Sequence, residues 1–556
     1  METMRVLSAA EMQACDRMTT ERFGISSISL MRAASGAVAA FALRQFPQAR
    51  CVTVLCGRGN NGGDGMMTAR LLAAAGLDVT TLLLGAPEGF GPDVVTAWGE
   101  LLASAAPGTV HVIETAEQLT AHDQALKADL LIDAIVGTGF KPPLKGLAVA
   151  ALDWIKTSHA PILAVDLPSG WSADSTAATA TGKAFPADAV VTFTAPKPAH
   201  VFAQLTRAWD QPVVVAPIGS PDAAWPSFSA LRVHWAGSAM ELVSKPRAAA
   251  ANKGNFGHVL VVGGAVGRAG APSMTSLSAL RSGAGLVTAA VPAAVLAQVA
   301  AAAHELMTTP LATSAAGGIS EECLAPEAIA ALMKGITVLA IGPGIGQAAE
   351  TVKFVTGLLA ATRIPAVIDA DALNILAAKP ILLAKLAKGR TVVLTPHPGE
   401  MARLTGLTIA EVQADRLSVA RGFAERFGVT LVLKGARTLI AHPDGRVAVN
   451  STGNPGMAKG GSGDLLTGVV AGFLAQYPKD AAAAVEAAVC LHGRAADLAV
   501  RETDEHTLLA TDSLPKFSRA FRFDSSGQNG YVWLQGQPDL EPDACAKEAR
   551  PREVPH

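Results

Sequence analysis

The stretch of this 556-residue sequence best equipped for chemistry is NSTGNPGMAKGGSGDLLTGVVAGFL (450–474), where Gly460, Gly461, Ser462 and Gly463 precede Asp464 and an apolar helical run. Glycines leave the backbone free to wrap an anion, and the amides and dipole at a helix start stabilise negative charge. That arrangement suits a phosphoryl group in transfer, and an acid at Asp464 can accept a proton from a substrate hydroxyl. A plain helix cap is the alternative role for Asp464. No G-x-x-x-x-G-K-[ST] occurs in the loop, which disfavours a P-loop fold. KGART (434–438) offers Lys434 and Thr438 to a nucleotide, or forms a surface turn, and TPHPGEMARL (395–404) fixes His397 between two prolines. GPGIG (342–346) and GRAGAP (267–272) supply further turns that permit close approach.

A second constellation lies upstream. GRGNNGGDG (57–65) follows an apolar run, precedes a helical one and contains G-x-G-x-x-G, which brings backbone amides close to phosphate oxygens. An ordinary dinucleotide dehydrogenase also places an acid at the end of the next strand. Asp78 precedes the strand TTLLLG instead, and the loop adds Asn60, Asn61 and Asp64. Asp133 in LIDAIVGTG and Ser169 in VDLPSG end two further apolar runs. A carboxylate, an amide and a hydroxyl with backbone carbonyls are hard oxygen ligands suited to a hard cation. That leaves Asp166 free for acid/base work, although any one of these acids alone is also an ordinary turn or cap residue.

The elements that must carry these groups alternate. CVTVLC, LDVTTLLLG, ADLLIDAIVGTG and PILAVDLPSG read as strands of βαβ units, and open parallel sheets place ligands at such strand ends. A Pro- and Ser-rich crossing at 221–250 separates residues 1–220 from a second α/β series at 251–523, with strands expected at HVLVVGG, GLVTAAV, TVLAIGPG, PAVIDAD, TVVLTPHPG and VTLVLKGA. Ser282 to Ala303 is uncharged, but Pro292 divides it, so a buried strand, turn and helix is expected rather than a membrane span. Residues 524–556 lose apolar periodicity and read as a flexible tail.

Composition fits this picture. Half of the residues are hydrophobic and 17% charged, so most of the chain should fold, and the length calls for more than one core. With 45 Lys and Arg against 47 Asp and Glu, and 5% aromatics, neither a nucleic-acid surface nor an anionic membrane is indicated, and small-molecule partners are favoured. The six scattered cysteines and the absence of a signal-peptide core point to the cytoplasm.

Taken together the motifs resemble those of the bifunctional NAD(P)H-hydrate repair enzymes, over roughly residues 8–523. In the first half GRGNNGGDG, DAIVGTGFKPPLKG, VDLPSGW and VTFTAPKPAH are similar to an epimerase domain, and in the second NKGNFGHVLVVGG, GAGLVT, GPGIG, DADALN, TPHPGEMARL, KGART and GGSGDLLTG to a nucleotide-dependent dehydratase. The resemblance implies an α/β chain: a Rossmann-like three-layer sandwich, then a ribokinase-like α/β domain. It implies hydrate binding by Asn60, Asn61, Gly62, Gly63, Asp64, Gly137, Thr138, Gly139, Phe140, Lys141, Pro142, Pro143 and Asp166, and potassium at Asn61, Asp133 and Ser169. It places Ala271, Gly344 and His397 on the hydrate in the second half. Lys434, Gly435, Ala436, Arg437, Thr438 and Gly460 to Gly463 would lie on ADP or ATP with magnesium. Asp166 and Asp464 would be the catalytic residues, Asp166 shifting a proton and Asp464 acting as base on the bound hydrate, and a homo-oligomer is expected. Three positions depart from the family's habit: Arg32 replaces an acid, Asn252 a frequent His, and Ser462 a frequent Thr whose hydroxyl it keeps. Two other readings stay open, a ribokinase-like kinase with a stable phosphorylated product beside a Rossmann-like ligand module, and a non-enzymatic binding module in the first half.

Overall fold

In a computed structural model, residues 3–226, 229–522 and 530–538 are described. The apolar runs of the first half become seven parallel strands: β1 (Cys51–Cys56), β2 (Asp78–Leu84), β3 (Val110–Ile113), β4 (Leu130–Ala134), β5 (Ile162–Val165), β6 (Ala189–Phe193) and β7 (Val213–Ala216). Their spatial order is β3-β2-β1-β4-β5-β6-β7. Strands buried on both faces read as unbroken Val/Ile/Leu runs, and both faces are indeed covered. The helices Ser27–Gln45 and Asn60–Ala74 pack on one side, and Leu147–Ile155 on the other, giving the expected three layers.

The second sheet has ten strands: β8 (Val233–Trp235), β9 (His258–Val262), β10 (Leu286–Pro292), β11 (Met307–Leu311), β12 (Val338–Ile341), β13 (Ala366–Ile368), β14 (Val392–Leu394), β15 (Thr430–Leu433), β16 (Leu439–Ala441) and β17 (Val447–Val449). Their order is β11-β10-β9-β12-β13-β14-β15-β16-β17-β8, parallel except around β16. The uncharged stretch near Pro292 is β10 followed by short helical turns, and no helix among the described residues is long and apolar enough to cross a membrane.

Three boundaries differ from those expected. Within the crossing at 221–250, β8 pairs in parallel with β17 and closes the second sheet's edge. Residues 4–6 also leave the first unit: Val6 N donates to Val233 O at 3.0 Å and Trp235 N to Met4 O at 2.9 Å. Conversely the expected tail is not wholly a tail, because β18 (Val532–Gln535) pairs antiparallel with β7 and buries Trp533. Three or four apolar residues among Pro, Gly and charge show no period, so their burial comes from partner strands that local sequence does not reveal. Residues 524–529 and 539–556 of that expected tail lie outside the described residues.

Candidate active sites

In the first sheet the strand order reverses between β1 and β4, and a cleft of about 880 Å³ opens there. Asn60, Asn61 and Asp64 follow β1, Gly137, Thr138, Gly139 and Phe140 follow β4, and Asp166 follows β5; all line this one cleft. GNNGGDG is not a free loop, since Asn60 begins the helix Asn60–Ala74. Gly62 and Gly63 serve packing instead of lining the cleft: a Cβ on Gly62 would fall 1.8 Å from the Gly57 carbonyl oxygen, and one on Gly63 2.8 Å from the Met31 side chain. Lys141, Pro142 and Pro143 are likewise not among the residues that line it.

Asp166 does not stand free, contrary to expectation. With φ at 66° its carboxylate accepts from Thr138 N (2.7 Å), Thr138 Oγ1 (2.6 Å), Thr192 Oγ1 (2.9 Å) and Lys197 Nζ (3.0 Å). Burial alone would raise its pKa, but the Lys197 ammonium, helped by His200 and Thr138, holds it well below the usual carboxylate range. Asp64 is the opposite case. Burial, reinforced by the Asp166 and Asp16 carboxylates, pushes it well above that range. The cleft thus holds two carboxyls whose ionisation is pushed in opposite directions, Asp166 down and Asp64 up.

Below the cleft, Asp133 accepts from Ser169 Oγ (2.6 Å), Ser169 N (2.7 Å) and Ile135 N (3.3 Å), and burial raises it to about 6 against those bonds. The Asn61 amide oxygen lies against Gly137, where an added Cβ would be 2.9 Å away, and Asn61 Nδ2 is buried with no hydrogen-bond partner. A buried carboxylate without a counter-charge, a hydroxyl and an amide oxygen fit a hard monovalent cation. Among the described residues no group of three or more His, Cys, Asp or Glu is arranged to hold a metal.

The second sheet reverses between β9 and β12, and the loops after β9, β12, β13, β14 and β15 meet there. The helix Ser462–Gln476 runs over them, held against Gly270–Arg281 by close backbone approach: a Cβ on Gly468 would lie 2.0 Å from Thr275 O. Thr275 Oγ1 also donates to Asp464 O at 2.9 Å. These contacts fix the first helical turn, and with it Asp464. Burial and the Asp369 carboxylate raise Asp464 to about 6, while Lys434 pulls the other way. Lys434 Nζ pairs with Asp369 Oδ1 at 2.9 Å and lies 3.3 Å from the Cβ that Gly463 lacks, so KGART and GGSGD converge. Thr467 Oγ1 donates to the other Asp369 oxygen at 2.7 Å. Gly344 (φ 63°) faces Ala271, where a Cβ would come within 3.1 Å of the alanine's. His397 caps its helix, accepting from Gly399 N at 3.0 Å, and its Nε2 lies 3.4 Å from Glu400.

Arg437 is the exception in this half. Its side chain turns away from the turn's other residues and donates to Ser451 O (3.3 Å), Ala203 O (3.0 Å) and Gln535 Oε1.

Two family models match the chain, one described as YjeF-related protein N-terminus over residues 27–199 and one as NAD(P)H-hydrate dehydratase over 259–517. Among curated proteins, the bifunctional NAD(P)H-hydrate repair enzyme of Moorella thermoacetica is 41% identical over 525 residues, covering 92% of this chain and 95% of its own. The chain belongs to that family. The Escherichia coli member is 34% identical over 92% of this chain and 93% of its own. Among solved structures, an ADP/ATP-dependent NAD(P)H-hydrate dehydratase from Bacillus subtilis, co-crystallised with ATP and Mg²⁺, is 32% identical over 51% of this chain and 96% of its own, with a TM-score of 0.43.

Two of the departures from the family's habit are absorbed locally. Arg32 pairs with Glu100 at 2.6 Å on the surface, and Asn252 caps its turn by accepting from Gly254 N at 2.9 Å. The hydroxyl of Ser462 donates to Met457 O at 2.8 Å. Sequence reasoning missed Asp16, Lys197 and Asp369. Lys197 sits in VTFTAPKPAH and Asp369 in PAVIDAD, where a charge at the end of an apolar strand was the available signal. Asp16 comes from the helix Ala9–Phe23 and carries no motif.

Proposed function

We propose that this chain repairs hydrated NADH and NADPH, the first unit exchanging the R and S epimers and the second dehydrating the S hydrate at the expense of ADP or ATP with magnesium. The observation that carries this reading is the pair of switch-point sites in one chain, each pairing a carboxyl whose ionisation is pushed upward with a fixed charge beside it. In the first site, inversion at the hydroxyl-bearing carbon breaks its C–O bond. Asp64 gives its proton to the departing hydroxyl, which leaves with the bonding pair as water, and the ionised Asp166 steadies the positive charge left on the ring. Water returns to the opposite face, and the proton it releases passes through solvent to restore Asp64. Asn61, Asp133 and Ser169 would hold potassium; a bound cation there supplies positive charge beneath the loops that face the substrate's phosphates.

In the second site Asp464 takes the proton of the hydrate's hydroxyl as the hydroxyl oxygen bonds to the terminal phosphorus of the nucleotide and the bridging P–O bond breaks, its electron pair leaving with AMP or ADP. Gly460 to Gly463 and Lys434 face the charge on that phosphoryl group. Phosphate then leaves with the C–O bonding pair, and loss of a ring proton restores the nicotinamide double bond. Hydroxide is a poor leaving group and phosphate a good one, which is what the nucleotide contributes. The domain assignment follows as 1–220 and 251–523, with the exchanged segments noted above.

The test is to incubate mixed NADH hydrates with ADP or ATP and follow the return of reduced-nicotinamide absorbance together with free phosphate. Full recovery is expected. Recovery of only the S fraction would remove the first activity, and accumulation of a stable phosphorylated product would replace the second with a kinase. Potassium gives a separate expectation: exchanging it for lithium should slow epimer exchange several-fold and lower the melting temperature, leaving S-hydrate dehydration unchanged. Equal rates and melting in both salts would remove the cation from the Asp133 site.

A further inference from the structure

The segment carrying β18 lies beyond residue 517, where the second family match ends, and it touches both units through a single side chain. Gln535 Nε2 donates to Thr206 Oγ1 and Gln211 O, both at 2.9 Å, in the first unit. Its Oε1 accepts from Arg437 Nη2, in the middle of KGART in the second. Arg437 adopts φ 55°, a left-handed conformation unusual for a side-chain-bearing residue, and its guanidinium donates to Ser451 O, Ala203 O and Gln535 Oε1. Around it Ser451 Oγ donates to Leu534 O, and Trp235 Nε1 donates to Ser451 Oγ at 2.8 Å. Gly536 (φ 69°) lies so close to the 210–211 backbone that a Cβ would fall 2.5 Å from the Gln211 carbonyl carbon, which holds the strand against the first unit.

We infer that Gln535 is a positioning residue for nucleotide binding: through Arg437 it holds the KGART turn in the conformation that faces the nucleotide, and it ties that turn to the first sheet. The inference rests on the reading that residues 434–438 hold the nucleotide. The Arg437 backbone stays in its strained conformation because its side chain is anchored at three points; removing the amide acceptor frees one of them and lets the turn relax. The hydrate-facing residues Ala271, Gly344 and His397 stand on other loops, so the effect should fall on the nucleotide alone.

The experiment compares wild type, Gln535→Ala, Arg437→Ala and the double variant in steady-state dehydration of the S hydrate, with epimer exchange measured on the same preparations. In Gln535→Ala the KM for ADP or ATP should rise about tenfold, as expected for loss of a hydrogen bond to a charged group, with kcat, the KM for hydrate and epimer exchange unchanged. On the Arg437→Ala background the Gln535→Ala change should add nothing. An unchanged nucleotide KM, full additivity, or a parallel fall in both activities would each overturn the proposal. Gln535→Asn, which keeps an amide but shortens its reach, should give the same nucleotide phenotype; if it and Gln535→Ala both fail to fold, the contact is structural and the proposal is overturned. Failure of wild type to bind ADP or ATP at all would instead overturn the reading on which the inference rests.

Discussion

Replacing Asp464 with asparagine should lower dehydration of the S hydrate by about 10²–10⁴-fold while epimer exchange keeps its wild-type rate. Asparagine has nearly the shape of aspartate, and the anchoring bond from Thr275 reaches the Asp464 backbone oxygen, so the first turn of the helix stays in place. What is lost is the acceptor. Since burial and Asp369 raise Asp464 to about 6, it is largely ionised at neutral pH yet basic enough to take a hydroxyl proton. The wild-type dehydration rate should therefore rise as pH climbs through about 6 and level off above it. A carboxyl raised in the folded state opposes folding once ionised, so the Asn variant should be no less stable than wild type at pH 7. Rate measurements from pH 5 to 8, with melting of both proteins, test all three points; a variant that retains dehydration, or loses both activities, would falsify the role of Asp464.

Lys197→Met should destabilise the first unit by about 3–5 kcal/mol, because it leaves the Asp166 carboxylate buried without its cation. The pair lies 3.0 Å apart with side chains 2% and 9% exposed, so solvent cannot take over from the lysine. Adding Asp166→Leu to the Met variant should return most of the stability, since well-packed apolar residues replace a buried ion pair at little net cost. It should not return epimer exchange, because the fixed anion is gone. The pH dependence has a definite sign. Asp166 is held below its ordinary value, so the pair's contribution is present above about pH 4 and fades as pH falls through the lower folded value. The stability gap between wild type and Lys197→Met is thus largest near neutrality and narrows in acid. Chemical denaturation at neutral pH and at about pH 2–3, below the ordinary carboxylate pKa, measures it, and a gap that widened in acid would contradict the assignment of charge to this pair.

The parallel strands were legible because burial on both faces leaves long Val/Ile/Leu runs, as in CVTVLC and PILAVDL, and the glycine turns that end them mark where ligands collect. The acids at those turns were legible too, but not their roles. Asp64 and Asp166 look alike in sequence, and it is long-range packing that separates them: Lys197, arriving from after β6, holds Asp166 down, while burial with Asp166 and Asp16 pushes Asp64 up. The side-chain partners of Arg437 were equally hidden: its motif says nothing of Ala203 and Gln535, which lie far along the chain. Short strands such as VHW and VWLQ were invisible because their stability comes from a neighbour far along the chain.

That reciprocal exchange of β8's companion residues 4–6 and of β18 bears on how the chain can be made and divided. During synthesis the β7 edge is laid down early but finds its covering partner only after the whole second sheet has emerged, so a nascent or cleaved product presents a bare row of backbone donors and acceptors to any passing strand. Cutting near residue 220 to obtain separate enzymes therefore yields one half with an open edge and another lacking the strip beside Trp235. The two catalysts are fastened at both ends, and a working pair of fragments needs those ends supplied in trans.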